Sequence, residues 1–203
     1  AYGGSAIGGV VNVLDERVPE TPAADGVDGR ATAAASSVDD GWSTAANIKA
    51  GRGPWVVAAD AIRRESDDYR VPVPPESRRL AESEGETLEP GDTVENSAVE
   101  LTQYGAGLSY VTDRGFLGVS VKRTDTLYGV PGHAHHGHED EEEAEHEEEA
   151  EEDVRIDLEQ TRIDLRGEAR LGLGPFDRVR LSTGFADYEH VELEGSEVGT
   201  RFT

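Results

Sequence analysis

The chain lacks cysteine and methionine altogether, and it carries only 19 Lys and Arg against 43 Asp and Glu over 203 residues. Without Cys there can be no disulfide, no thiolate metal site and no Cys nucleophile. The shortage of positive charge leaves a formal net charge of −24. That argues against nucleic acid as a partner, whose phosphates would be repelled. Aromatic residues make up 6% of positions. Large aliphatic residues are also scarce: Leu, Ile, Val and Phe together supply 21%, just above the range of disordered chains. The apolar surface must come largely from Ala, Gly and Val, which suits strands better than a thick globular core. No run approaches the roughly 18 consecutive apolar residues of a membrane helix. This excludes a helical span and leaves open a membrane β-barrel, whose alternating strands give a weaker signal. The chain opens at Ala1 inside a Gly-rich motif and stops at Thr203 within a strand-like run, so it is expected to be a piece of a longer protein.

What is present is alternation. Trp42, Thr44, Ala46, Ile48 and Ala50 share one phase, with Ser43, Asn47 and Lys49 between them. The same period recurs in Trp55, Val57, Ala59 and Ala61; in Tyr104, Ala106, Leu108 and Tyr110; and in Leu117, Val119 and Val121. It returns in Ile163, Leu165, Ala169, Leu171 and Leu173, interleaved with Asp164, Arg166, Glu168 and Arg170, and in Val179, Leu181, Phe185, Val191 and Leu193. A period of two belongs to strands and not to helices. With a vaguer run over 30–37, about seven antiparallel strands are expected, an all-β chain of adjacent hairpins.

The connections follow a second pattern. Those at 38–41, 51–54, 112–115 and 172–176 are short and rich in Gly, Asp and Pro, as tight turns require. Those at 67–97 and 130–153 are long, and a third long one is expected to begin near Glu194. Long connections gathered at one end, with short turns at the other, are the habit of outer-membrane barrels. Trp42 and Trp55 fall at opposite ends of neighbouring hairpins, where aromatic girdles are expected. The alternative on pattern alone is a soluble antiparallel sheet with one solvated face.

The amino terminus reads Ala1-Tyr2-Gly3-Gly4-Ser5-Ala6-Ile7-Gly8-Gly9-Val10-Val11-Asn12-Val13. Its glycines permit tight turns and close packing, but no GK[ST] or GxGxxG spacing makes it a phosphate loop. Tyr2-Gly3, Ala6, Gly8-Gly9, Val10-Val11 and Asn12-Val13 resemble the end of the plug domain of TonB-dependent outer-membrane receptors. Tyr128-Gly129-Val130-Pro131-Gly132-His133, Thr161–Gly167 and Gly184–Tyr188 resemble the zinc-uptake branch of that family. The resemblance implies a plug remnant over 1–19 and, over 20–203, the first strands of an up-and-down transmembrane β-barrel, about seven of a larger plugged set. It also implies a Gram-negative outer-membrane location, contact with outer-membrane lipid, and energy drawn from the TonB complex through plug residues outside this sequence.

Half of the net charge sits in residues 133–153, which hold twelve acids and no Lys or Arg. Five of the six histidines lie there: His133, His135, His136, His138 and His146. Neutral imidazole suits zinc, copper and nickel, and Glu139, Asp140 and the acids after them add affinity and a concentrating field. With no thiolate, the site would be labile rather than closed and structural, as release of cargo requires. His190, in phase with Tyr188, Arg178 and Arg180, is a candidate for the inner path, with Glu192 and Glu194 beside it. No GxSxG, HExxH or Walker sequence occurs, so no enzyme, organic cofactor or nucleic-acid partner is expected. The expected cargo is a divalent metal, zinc first. Nickel, copper or a metal chelate is the alternative within transport, and a soluble metal-buffering β domain the alternative outside it.

Overall fold

A computed structural model describes residues 16–23, 26–74, 79, 92–131, 153–173, 176–195 and 197–203. Ten strands follow one another in these residues: β1 (Val27–Ala35), β2 (Trp42–Arg52), β3 (Trp55–Ser66), β4 (Tyr69–Arg70), β5 (Thr93–Val94), β6 (Val99–Thr112), β7 (Gly115–Gly129), β8 (Val154–Leu173), β9 (Phe176–Glu194) and β10 (Glu197–Phe202). Eight of them form one sheet in the order β1-β2-β3-β6-β7-β8-β9-β10, with every neighbour antiparallel. β4 and β5 pair separately, as a miniature hairpin inside the long connection between β3 and β6. The sheet is thus a meander with no crossover.

Two expectations need correction. The main sheet has eight strands where about seven were expected, and no long connection begins at Glu194. Instead, Gly195, with φ of +57°, opens a two-residue turn into β10. A six-residue edge strand is too short to register as a run of alternation. The other turns match their sequence signals. Gly53, at φ +61°, together with Pro54 reverses the chain between Arg52 and Trp55, because a left-handed residue there carries no steric cost without a Cβ.

Connections 67–98 and 130–153 leave the same end of the sheet, the loop end, while β2 and β3, β6 and β7, and β8 and β9 are joined at the opposite, turn end. The register also sorts the side chains onto two faces. Ile48, Ala59, Ala106, Val121, Ile163 and Phe185 form one cross-strand row from β2 to β9, all apolar and all on one side. The same face carries Trp55, Tyr110, Leu117 and Leu181 nearer the turn end. It is uncovered: Phe185 is 67% and Leu117 55% exposed. The buried hydrophobic residues, Val18, Val56, Val111 and Val154, do not belong to it.

This uncharged band runs obliquely to the hydrogen-bonded rows. In β2 it extends from the shared row toward the loop end as far as Trp42 and meets Arg52 at the turn end. In β3 it stops at Arg63 and in β7 at Arg123. In β8 it gives way to Glu159 on the loop side and runs through Leu165 and Ala169 to Leu171 on the other. The band therefore slips toward the turn end by about one residue per strand. With a rise of about 3.3 Å per residue and about 4.8 Å between strands, that slip corresponds to a strand tilt of roughly 35°.

Candidate functional site

The opposite face is polar, and it curls around the amino-terminal segment. Arg17 makes a two-point ion pair with Asp60 of β3, Nε to Oδ1 at 2.6 Å and Nη2 to Oδ2 at 2.8 Å. Both side chains are largely buried, at 12% and 17% exposure. Val18 beside it is 1% exposed. The floor beneath them is made of absent side chains: a Cβ at Gly107 would overlap the Arg17 carbonyl, and one at Gly118 would press on Val18. Lys49 of β2 donates to the Thr21 hydroxyl at 3.3 Å, while Glu20 next to it lies within electrostatic reach of Arg180 on β9. Thr21 thus contacts β2 while Glu20 beside it is near enough to β9 to act on Arg180 through space, so the sheet curves around this segment on its polar side.

Charge on this face is ordered along the strands. From mid-strand toward the turn end lie Lys122, Arg162, Arg166, Arg170, Arg178 and Arg180, with Asp164 and Glu168 among them. Arg162 pairs with Asp164 at 2.8 Å, and Glu168 takes both Arg178 and Arg180, at 3.4 and 2.8 Å. Toward the loop end the acids gather, with Asp153, Glu192, Glu194 and Glu197 around the last two strand pairs. On the apolar face the band is edged at the loop end by ion pairs. Arg123 meets Asp125 and Glu159, both at 2.6 Å, and Arg63 meets Glu65 and Thr102.

The loop end is hydrogen-bonded from one connection to the next. Asp67 N donates to Asp39 O at 2.9 Å, Arg70 N to Val38 O at 2.8 Å, and the Arg70 guanidinium pairs with Asp40. The Asp68 carboxylate accepts the backbone N–H groups of Ser97 and Ala98 at 2.7 and 2.9 Å. Asn96 Nδ2 donates to Val154 O at 2.7 Å and Val130 O at 3.3 Å. Gly195 N donates to Asp153 O at 3.2 Å. In the first of these turns, the Ser36 hydroxyl and then the Gly41 N–H hold the Asp39 carboxyl below its ordinary 3.8, against a smaller opposing pull from desolvation.

Of the histidines and acids singled out as metal ligands, His133, His135, His136, His138, His146, Glu139 and Asp140 lie outside the described residues. Their loop springs from Pro131 and returns at Asp153, on the acidic loop end. His190 is described, and it lies on β9. Its Nδ1 is 2.8 Å from the Tyr188 hydroxyl, and its ring packs at 4.6 Å between centroids against Phe202. Among the described residues no group of three or more His, Asp and Glu side chains is placed to hold a metal. His190 is therefore held by aromatic neighbours and is not part of a ligand cluster there. Sequence reasoning missed the Arg17–Asp60 pair, its glycine floor and the Asn96 bridge. The Gly105-x-Gly107 step inside a strand was the one local hint, since glycine in a strand marks a close backbone approach.

No protein-family model matches the chain.

Proposed function

We propose that the chain is part of a TonB-dependent outer-membrane β-barrel receptor that imports a divalent metal, zinc in the first place. The observation that carries the reading is the oblique uncharged band on the convex face, opposite a polar concave face occupied by the amino-terminal segment. A soluble protein rarely leaves so large an apolar surface bare, whereas lipid would cover it. The slip of about one residue per strand suits strands crossing a bilayer at the tilt barrels adopt. β8 and β9, with 20 and 19 residues, are about twice the length needed to cross the hydrocarbon, and their surplus lies at the acidic loop end.

In this reading the loop end faces outward. The acids of 139–153 raise the local cation concentration, and His133, His135, His136 and His138 with Glu139 and Asp140 supply the exchangeable ligands; His146 adds a fifth imidazole. Captured metal then passes to the concave interior, with release driven by the TonB complex acting on the plug. The basic residues of the concave face favour a second reading, in which cargo crosses as an anionic metal chelate. Competition binding to the full-length receptor in detergent separates the two. Free zinc should bind, and replacing His133, His135, His136 and His138 together with Ala should weaken it by at least tenfold. A receptor that takes a zinc chelate and ignores free zinc would overturn the assignment, and recovery of the full-length protein from the soluble fraction without detergent would overturn the barrel.

A further inference from the structure

We propose that the basic ladder on the polar face of β7, β8 and β9 binds a small polyanion, a compound carrying several carboxylate or phosphate groups. The inference goes beyond metal capture and depends on neither the His-rich loop nor zinc. It starts from an opposition of like charges. Lys122 of β7 stands directly across from Arg162 of β8, and Arg170 of β8 directly across from Arg178 of β9. Like charges directly opposite one another destabilise a sheet. Yet this face has two such pairs, with Arg166 between them on β8 and Arg180 beside them on β9.

Two carboxylates answer these six cations. Asp164 pairs with Arg162 at 2.8 Å and lies within electrostatic reach of Arg166 and Lys122. Glu168 pairs with Arg180 and Arg178 at 2.8 and 3.4 Å and lies within reach of Arg170. Each carboxylate is thus shared among three cations, and each cluster keeps a surplus of two positive charges. The surplus is local, for the chain as a whole carries −24. Depth sorts the two signs as well. The Asp164 and Glu168 side chains are 13% and 10% exposed, whereas those of Arg162, Arg178 and Arg180 are 48%, 57% and 62% exposed. An anion arriving from water on this face therefore meets guanidinium groups before either carboxylate. Gly184 leaves room for the Arg162–Asp164 pair to lean over β9, and Ser182, directly across from Arg166, adds a hydroxyl donor.

The spacing selects for several charges. Asp164 and Glu168 are four residues apart on one strand, about 13 Å, with Arg166 midway. A singly charged anion relieves one cluster, while a polyanion centred on Arg166 draws on both. Arginine suits the task, because its planar fork takes two oxygens of a carboxylate or phosphate at once.

The full-length protein in detergent, in metal-depleted buffer of low ionic strength, is titrated with citrate and with tripolyphosphate while its Tm is followed. At least one should raise the Tm as a ligand of the folded state does, and acetate at equal ionic strength should not. The stronger of the two tells carboxylate from phosphate recognition. Arg170→Gln and Lys122→Gln each remove one member of an opposed pair. Each should leave the Tm without anion unchanged or raised, while weakening polyanion binding about two- to fivefold, the range of an exposed ion pair. The double variant should lose about the product of the two. No Tm shift with either polyanion, a shift that acetate matches, or unchanged affinity in the double variant overturns the site. So does a lowered Tm of both single variants without anion, because the cations would then serve the fold. Zinc binding does not enter these readouts, so each such failure leaves metal capture standing.

Discussion

Single residues in this fold act mostly through what they let approach. Gly107 and Gly118 have no side chain because Arg17 and Val18 occupy that space, and the nearly buried Arg17–Asp60 pair ties the segment down. Gly107→Val should expel the segment. Its signature is protease cleavage between residues 16 and 23 in the full-length protein, with the strands of the sheet left intact. Asp60→Asn removes the carboxylate from this largely buried pair, a change that costs up to about 3–5 kcal/mol, and should show as a lowered Tm that Arg17→Gln partly restores. Asp39 gives a pH effect of known sign. Its folded pKa is depressed by Ser36 and Gly41, so the turn gains from its ionised form above about pH 4 and loses that gain as pH falls through the lowered value. Protection of the Gly41 amide against exchange, taken relative to its intrinsic rate at each pH, should fall over that window because its N–H meets Asp39 Oδ1, and Asp39→Asn should abolish that fall.

At the scale of strands, the two faces make opposite demands. Ile163 lies in the apolar row and Gln160 on the polar face. In vesicles Ile163→Lys should cost about 2–4 kcal/mol, the penalty for a cation at the bilayer midplane, and Gln160→Lys far less. Denaturant titration of the reconstituted full-length protein measures both, and equal costs would contradict a lipid-facing band. β2, β3 and β6 to β9 were legible in the sequence because period-two alternation is a local signal and each face keeps its chemistry over many residues. β10 was not, since Glu197–Phe202 offers too few alternations and Gly195-Ser196 imitates the start of a loop. β4 and β5 were invisible for a different reason: Tyr69 pairs with Val94 across a long connection, and two residues carry no period. The candidate site divides in the same way. The clustered histidines announce themselves by composition, whereas Asn96 finds Val130 and Val154 34 and 58 positions away, with nothing in its neighbourhood to mark it.

For the whole molecule, the acidity noted at the outset has a direction. Among the described residues, Asp153, Glu192, Glu194 and Glu197 gather at the end that carries the long connections, and Arg166, Arg170, Arg178 and Arg180 lie on the polar face toward the short turns. The sheet also has two open edges, β1 and β10, and a bare apolar face, which together make an isolated chain prone to association. In plain buffer the 203-residue chain should therefore aggregate, as light scattering would show; a monomer with a cooperative thermal transition would contradict this. The central claim is that the band lies in lipid with the loop end outward, and the absence of native Cys permits a direct measurement. Single cysteines at Ala144, Ile163 and Asp113 of the full-length protein are exposed on intact cells to a maleimide carried on a bulky polyethylene glycol. The account predicts labelling at Ala144→Cys alone, with Asp113→Cys reacting only after the outer membrane is broken and Ile163→Cys only after detergent. Labelling of Ile163→Cys or Asp113→Cys on intact cells would contradict it.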